Sequence, residues 1–209
     1  TFQCMKKAGY DFMIIQAWAG GKMINPYYVQ HYKNAIAAGI SKVDIYAFAC
    51  NNCNGNTPTA IVAAIKASLP AGFSGTLWLD VEPCNNCWLT ADKNLQFVDT
   101  LAQTAKNAGF NVGVYSSLNS WASVVGSFNA TTPLISSLSL WYAHYDFNPS
   151  FNDTKYYQFG GFGYPVMKQY GDRGGQCGLA HDDNWAPNMP PVELSDSSDD
   201  SESISSISI

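Results

Sequence analysis

Thr76-Leu77-Trp78-Leu79-Asp80-Val81-Glu82-Pro83 decides how this chain is read. An apolar run ends in two carboxylates two residues apart, and a proline follows. Strand alternation puts Trp78, Asp80 and Glu82 on one face and Val81 on the other, with the two acidic β-carbons roughly 6 to 7 Å apart. Pro83 cannot donate to a strand ladder, so the strand stops there.

Working outward, similar apolar runs recur at Phe12 to Trp18, Val43 to Cys50, Val112 to Ser116, Ser139 to Tyr145 and Val166 to Tyr170. Segments of helical period separate the first four strands: Pro26 to Ala38, Pro58 to Leu69 and Ala91 to Ala108. Two of these open with proline, which suits a first helical turn, and Thr90 is placed to cap the third. Gly39 and Gly109 follow two of them as helix stops. Strand and helix alternating at this spacing imply a parallel sheet, either a closed barrel or an open doubly wound sheet. No phosphate-binding fingerprint supports the open form. Gly160-Gly161-Phe162-Gly163 lacks the Lys-Ser/Thr ending of a nucleotide loop and reads as a turn. After Ser137 the helical signal fades, so the expected fold is an α/β, irregular TIM-like β/α barrel with a less regular final third.

The chain has 209 residues, 46% of them hydrophobic, which is material for one core. Residues 1–190 are read as a single domain. From Glu193 onward the sequence is almost entirely Ser, Asp, Glu and Ile, so residues 191–209 are expected to form a disordered acidic tail. The net charge of −5 comes from five acidic residues of that tail; the body carries eleven acidic and eleven basic residues. Such a balance gives no grip on phosphates, which argues against nucleic acid as a partner. No run approaches the roughly 20 apolar residues of a membrane span. No membrane partner is expected, and the chain is read as a monomer.

In a parallel barrel the carboxy-terminal strand ends carry the active site, so Asp80 and Glu82 are the candidate catalytic residues. Two carboxyls in a partly dry cleft cannot both ionise freely, and one keeps its proton. A proton donor beside a second carboxylate is what glycoside hydrolysis needs. Aromatic residues gather near the other strand ends: Tyr46 with Phe48, Tyr115, and Trp141 with Tyr145. Flat rings with polar edges suit sugar faces; any one ring taken alone is more often a core residue, but as a group they fit a carbohydrate cleft at least as well as a core. Lys168-Gln169-Tyr170-Gly171-Asp172 and His181-Asp182-Asp183-Asn184 add polar groups late in the chain, and Asp182 is expected across the mouth from Glu82. His31, His144 and His181 are too scattered for a metal triad and receive no catalytic role.

Six cysteines allow two readings. Cys50-x-x-Cys53 and Cys84-x-x-Cys87 have the spacing of a four-thiolate zinc site. Against that, Cys4 and Cys177 form a further candidate pair, and Asn129-Ala130-Thr131 and Asn152-Asp153-Thr154 are glycosylation acceptors in an exported chain. Disulfides in an oxidising compartment are the favoured reading, with Cys4 and Cys177 tying the chain ends and the two close pairs bridged locally. Sequence alone does not fix that connectivity.

These segments resemble the glycoside hydrolase family 25 lysozymes, especially their eukaryotic branch. The resemblance runs in order through Phe2-Gln3-Cys4, Gly9-Tyr10-Asp11-Phe12, Ala38-Gly39-Ile40, Trp78-Leu79-Asp80-Val81-Glu82, Gly113-Val114-Tyr115-Ser116, Leu140-Trp141-Tyr142-Ala143-His144-Tyr145 and Lys168-Gln169-Tyr170. It implies a cofactor-free enzyme, secreted or lysosomal to phagosomal, that hydrolyses the β-1,4 bond between N-acetylmuramic acid and N-acetylglucosamine of a peptidoglycan strand in bacterial digestion or defence. By position, Glu82 resembles the family's general acid and Asp80 the partner that stabilises the developing positive charge. Asp182 resembles a late cleft aspartate, with Tyr46, Tyr115, Trp141, Tyr145 and Gln169 as substrate-binding residues. One departure is expected: the family's pattern places an acid-bearing strand ahead of the segment matching Thr1. The implied barrel therefore lacks its N-terminal strand, with open edges on Phe12 to Trp18 and on the last strand. A catalytically inactive glycan-binding homologue is the non-enzyme alternative. A chitinase-like hydrolase fits less well, because Gly75 and Trp78 occupy two acid positions of the longer chitinase pattern.

Overall fold

The computed structural model describes residues 1–19, 23–187 and 205–208. Nine strands form one curled sheet in the order β2 (Met23–Ile24), β1 (Tyr10–Ala19), β3 (Lys42–Phe48), β4 (Thr76–Asp80), β5 (Asn111–Ser116), β6 (Ser139–Ala143), β7 (Met167–Gly174), β8 (His181–Trp185) and β9 (Ser205–Ser208). The run from β1 through β3, β4, β5 and β6 to β7 is parallel. β8 turns back antiparallel on β7, and β9 pairs with both β8 and β1, which closes the ring.

The helices arise where the sequence places them. α2 (Tyr28–Ala37), α3 (Pro58–Ser68) and α4 (Ala91–Asn107) match the three expected segments. Thr57 accepts a hydrogen bond from the Ala60 amide and Pro58 fills the first turn of α3. Gly39 and Gly109 take φ of +84° and +89° beyond α2 and α4, and the amides of Ile40 and Phe110 close back on Ala35 and Ala105. That is the left-handed stop that only glycine reaches without strain.

Three expectations are corrected. Thr90 sits at the start of α4 but its side chain makes no capping bond; Asn94 instead accepts from the Leu89 amide. Pro26 lies in a turn before α2, where Asn25 accepts from the Tyr27 amide. The barrel edge on β1 is not open, because Tyr10 to Ile14 pair with Ser205 to Ser208 and Trp18 and Ala19 pair with β2. Ser205–Ser208 of the expected tail form β9, and the rest of that tail lies outside the described residues. An unpaired strand edge is satisfied by backbone groups, which any composition supplies. Short elements gave no periodic signal and went unread: α1 (Phe2–Lys7), α5 (Leu118–Val125), α6 (Pro133–Ser136), β2 and β8.

Strand alternation sorts the side chains into two layers. Met13, Ile15, Ile45, Leu77, Leu79, Val81, Val114 and Leu140 face the helices in the main core. Phe12, Ile14, Trp78, Tyr115, Trp141 and Met167 fill the barrel interior. Trp78 is fixed there by its indole N–H, which donates to Asp44 Oδ2 at 2.9 Å, while the Thr76 amide donates to Asp44 Oδ1 at 2.9 Å. Gly113 on β5 is a glycine because Trp78 lies over it: a β-carbon there would meet the ring at 2.3 Å. Asp80 and Glu82 emerge above this packed layer, at the mouth of the barrel.

Candidate active site

β4 ends at Asp80, and the next two residues stay in line with the neighbouring strand. The Val81 amide donates to the Tyr115 carbonyl at 2.9 Å, and Ser116 Oγ donates to the Val81 carbonyl at 2.7 Å. Trp88 Nε1 donates to the Glu82 carbonyl at 2.6 Å. Asp80 and Glu82 accordingly share the interior face with Trp78, as alternation requires. Asp80 is 3% exposed and its Oδ1 has no hydrogen-bond partner, whereas Glu82 is half-buried.

The two carboxyls hydrogen bond to each other. Burial is the largest cause holding Asp80 far above the usual carboxylate range, and the Glu82 charge adds to it. Burial also raises Glu82, offset in part by the bond from Asp80. The dyad therefore holds at least one proton beyond the pH at which ordinary carboxyls ionise.

An open cleft of about 240 Å³ lies before Glu82, lined by Tyr115, Ser117, Asn119, His144, Tyr145 and Tyr156 among others. Tyr115 and Tyr145 each donate to Gln169 Oε1 at 2.6 Å, and Gln169 Nε2 donates to Asp182 Oδ2 at 3.3 Å. Burial, followed by the charges of Asp172 and Glu82, pushes the Asp182 carboxyl up to about 6. Burial likewise raises Tyr145 to about 12. The Tyr46 hydroxyl is raised by burial and then by Asp80, Asp182 and Glu82, so it belongs to the same acidic mouth, where it hydrogen bonds with Gln16.

The expected site residues thus divide by depth. Glu82, Tyr115 and Tyr145 line the cleft, and Gln169 and Asp182 stand behind the tyrosines. Trp141 does not reach the cleft; it is 2% exposed inside the barrel, with its ring 4.3 Å from that of Tyr115 and its N–H donating to Asn184. It supports Tyr115 from beneath.

His144, Tyr156, Ser117 and Asn119 were missed as cleft residues. His144 stacks on Tyr156 at 3.5 Å, and its Nδ1 lies 2.6 Å from Asp153 Oδ2. Asp153 also meets Lys168 at 2.9 Å, and Lys168, fully buried, meets Asp146 at 2.8 Å. The motif Trp141-Tyr142-Ala143-His144-Tyr145 held the signal for His144, but Tyr156 arrives from the short 3-10 turn Thr154–Tyr156, which carried none.

The cysteines pair as Cys4–Cys177, Cys50–Cys53 and Cys84–Cys87. The first ties α1 to the turn before β8, and the other two close the turns after β3 and β4.

With this geometry in place, comparison with known proteins is decisive. Residues 1–170 match the family model described as "Lysozyme-like protein 1". The chain is 38% identical over 188 residues to "Probable GH family 25 lysozyme 2" of Dictyostelium discoideum, covering 90% of this chain and 85% of the relative. The chain belongs to the glycoside hydrolase family 25 lysozymes. Other family relatives are longer. "Probable GH family 25 lysozyme 3" and "Counting factor 45-1", both of Dictyostelium discoideum, are 46% and 42% identical over 84% and 85% of this chain. The chain spans only 36% and 59% of their lengths. Among solved structures, a muramidase from Acremonium alcalophilum superposes with a TM-score of 0.65 at 19% identity, covering 90% of this chain and 87% of that one. The fold is therefore shared well beyond sequence likeness.

Proposed function

We propose that the protein is a lysozyme-type glycoside hydrolase cleaving the β-1,4 bond between N-acetylmuramic acid and N-acetylglucosamine in peptidoglycan. One observation carries this: a proton-retaining Asp80–Glu82 dyad opens through its half-buried member onto an aromatic cleft. Glu82 donates its proton to the glycosidic oxygen as that bond lengthens. Asp80, sealed behind it and held protonated by burial, shares its proton with Glu82 through their hydrogen bond, so negative charge develops on the pair as the sugar carbon becomes cationic. Asp182, ionised above about pH 6, completes an acid and carboxylate set near neutrality. Tyr115 and Tyr145, held by Gln169, give a sugar ring both an apolar face and hydroxyl partners.

Release of reducing ends from purified peptidoglycan tests this reading, with Glu82→Gln run alongside from about pH 4 to 8, the window in which a raised carboxyl titrates. Turnover lost in the variant supports it. Equal turnover in both removes Glu82 as the acid, and folded protein that binds glycan without turnover assigns a binding role instead.

We also propose export to an oxidising compartment, secreted or lysosomal. Three disulfides and the exposed acceptors Asn129 and Asn152 support that. Loss of mass on enzymatic removal of N-glycans from the natural protein would bear it out, and an unshifted mass would count against it.

A further inference from the structure

The turns after β3 and β4 each carry a Cys-x-x-Cys bridge, and the two bridges touch. The sulfurs of Cys50, Cys53 and Cys87 lie within 4.8 Å of one another, although Cys87 is bonded to Cys84. The turns are also stapled through their backbones: the Asn52 amide donates to the Cys87 carbonyl at 2.8 Å, and Asn52 Nδ2 donates to the Asn86 carbonyl at 3.1 Å. Asn56 Nδ2 holds the Cys50 carbonyl at 3.1 Å. Exposure divides the four residues into two kinds. Cys50 and Cys87 are 0% and 7% exposed, whereas Cys53 and Cys84 are partly open to solvent.

We propose that these four cysteines form a single thiol–disulfide exchange centre whose co-reactant is a dithiol. The reductant's thiolate attacks Cys84, the accessible sulfur of that bridge, breaking the Cys84–Cys87 bond and releasing Cys87 as a poorly solvated thiolate of raised energy, primed to attack the second bridge beside it. The reductant's other thiol then displaces Cys84, which leaves as a thiol, and the reductant departs as its cyclic disulfide. Cys87 attacks Cys50, forming a Cys50–Cys87 bond and releasing Cys53. Cys53 is the better leaving group because its thiolate is solvated, while a thiolate left on buried Cys50 would be raised in energy. Two electrons enter, one disulfide is consumed, and the other moves from within one turn to between two. The products are a buried bridge joining the β3 and β4 turns and two accessible thiols, Cys53 and Cys84. This chemistry does not depend on the glycan reading.

The test is disulfide mapping of the folded chain. Protein treated with dithiothreitol until one disulfide equivalent is consumed is trapped with N-ethylmaleimide under acid quench, digested and analysed by mass spectrometry. The expected species carries the label on Cys53 and Cys84 and a peptide cross-link between Cys50 and Cys87, exceeding either unexchanged species by about tenfold. Label on Cys84 and Cys87 with Cys50–Cys53 intact, or label on Cys50 and Cys53 with Cys84–Cys87 intact, would overturn the proposal. The variant Cys84→Ser gives a second route without reductant: Cys87 is expected to be bridged to Cys50 and the free thiol to be Cys53. A folded variant that keeps its free thiol on Cys87 also overturns it.

Discussion

Asp80 sits sealed behind Glu82, and the two carboxyls share a hydrogen bond. One acid of the pair faces the cleft and the other faces protein, so their substitutions are expected to behave differently. Glu82→Gln keeps the size and the hydrogen-bonding capacity of the side chain but cannot donate the proton. Its kcat on peptidoglycan should fall by about 10²- to 10⁴-fold, with an unchanged circular dichroism spectrum.

Asp80→Asn removes a carboxyl whose folded pKa lies well above its unfolded one. Such a group contributes stability at low pH that is lost as pH rises through its folded pKa. The variant should therefore melt at a higher temperature than the parent at pH 8 and show little advantage in acid, while turnover drops. A variant less stable than the parent at pH 8 would show that Asp80 is held as a charge.

Asp182 gives a defined window, because its carboxyl is raised to about 6. The same sign applies: the parent loses stability as pH rises from the ordinary carboxylate range through about 6, so Asp182→Asn should gain about 1 kcal/mol at pH 7 after allowance for solvent screening. Activity should move the opposite way. The parent's kcat/KM is expected to rise as pH climbs through about 6, and the Asp182→Asn profile to be low and flat there.

Lys168 is fully buried, with Asp146 and Asp153 at 2.8 and 2.9 Å. Lys168→Met leaves both acids without their cation and should cost about 3 to 5 kcal/mol in urea unfolding. Asp153 is shared with His144 in the cleft, so weaker glycan binding is expected at permissive temperature.

Gly113→Ala places a β-carbon 2.3 Å from the Trp78 ring, and that ring is itself pinned to Asp44. Overpacking of this kind costs about 1 to 3 kcal/mol, visible as a lowered midpoint without change in unfolding slope.

Much of this molecule could be read without coordinates. The six parallel strands, the three long helices and the side-by-side placement of Asp80 and Glu82 follow from hydrophobic periodicity, glycine stops and strand alternation, all of which act over a few residues. The same local rule put Trp78 on the acids' face. What the sequence could not settle depends on groups far apart along the chain. The same alternation that points Trp141 inward does not say whether inward means cleft or core; packing against Tyr115 and Asn184 decides that. Tyr156 joins His144 only because a loop folds back over the mouth. β9 pairs with β1 across nearly the whole chain, since a strand edge recruits backbone wherever it is available. The facing of the two Cys-x-x-Cys turns likewise comes from β3 and β4 being neighbours in the sheet. Local sequence determined the elements and the acidic pair, whereas the depth of each side chain, and therefore its pKa and its access to substrate, was decided by burial that only the closed tertiary structure creates.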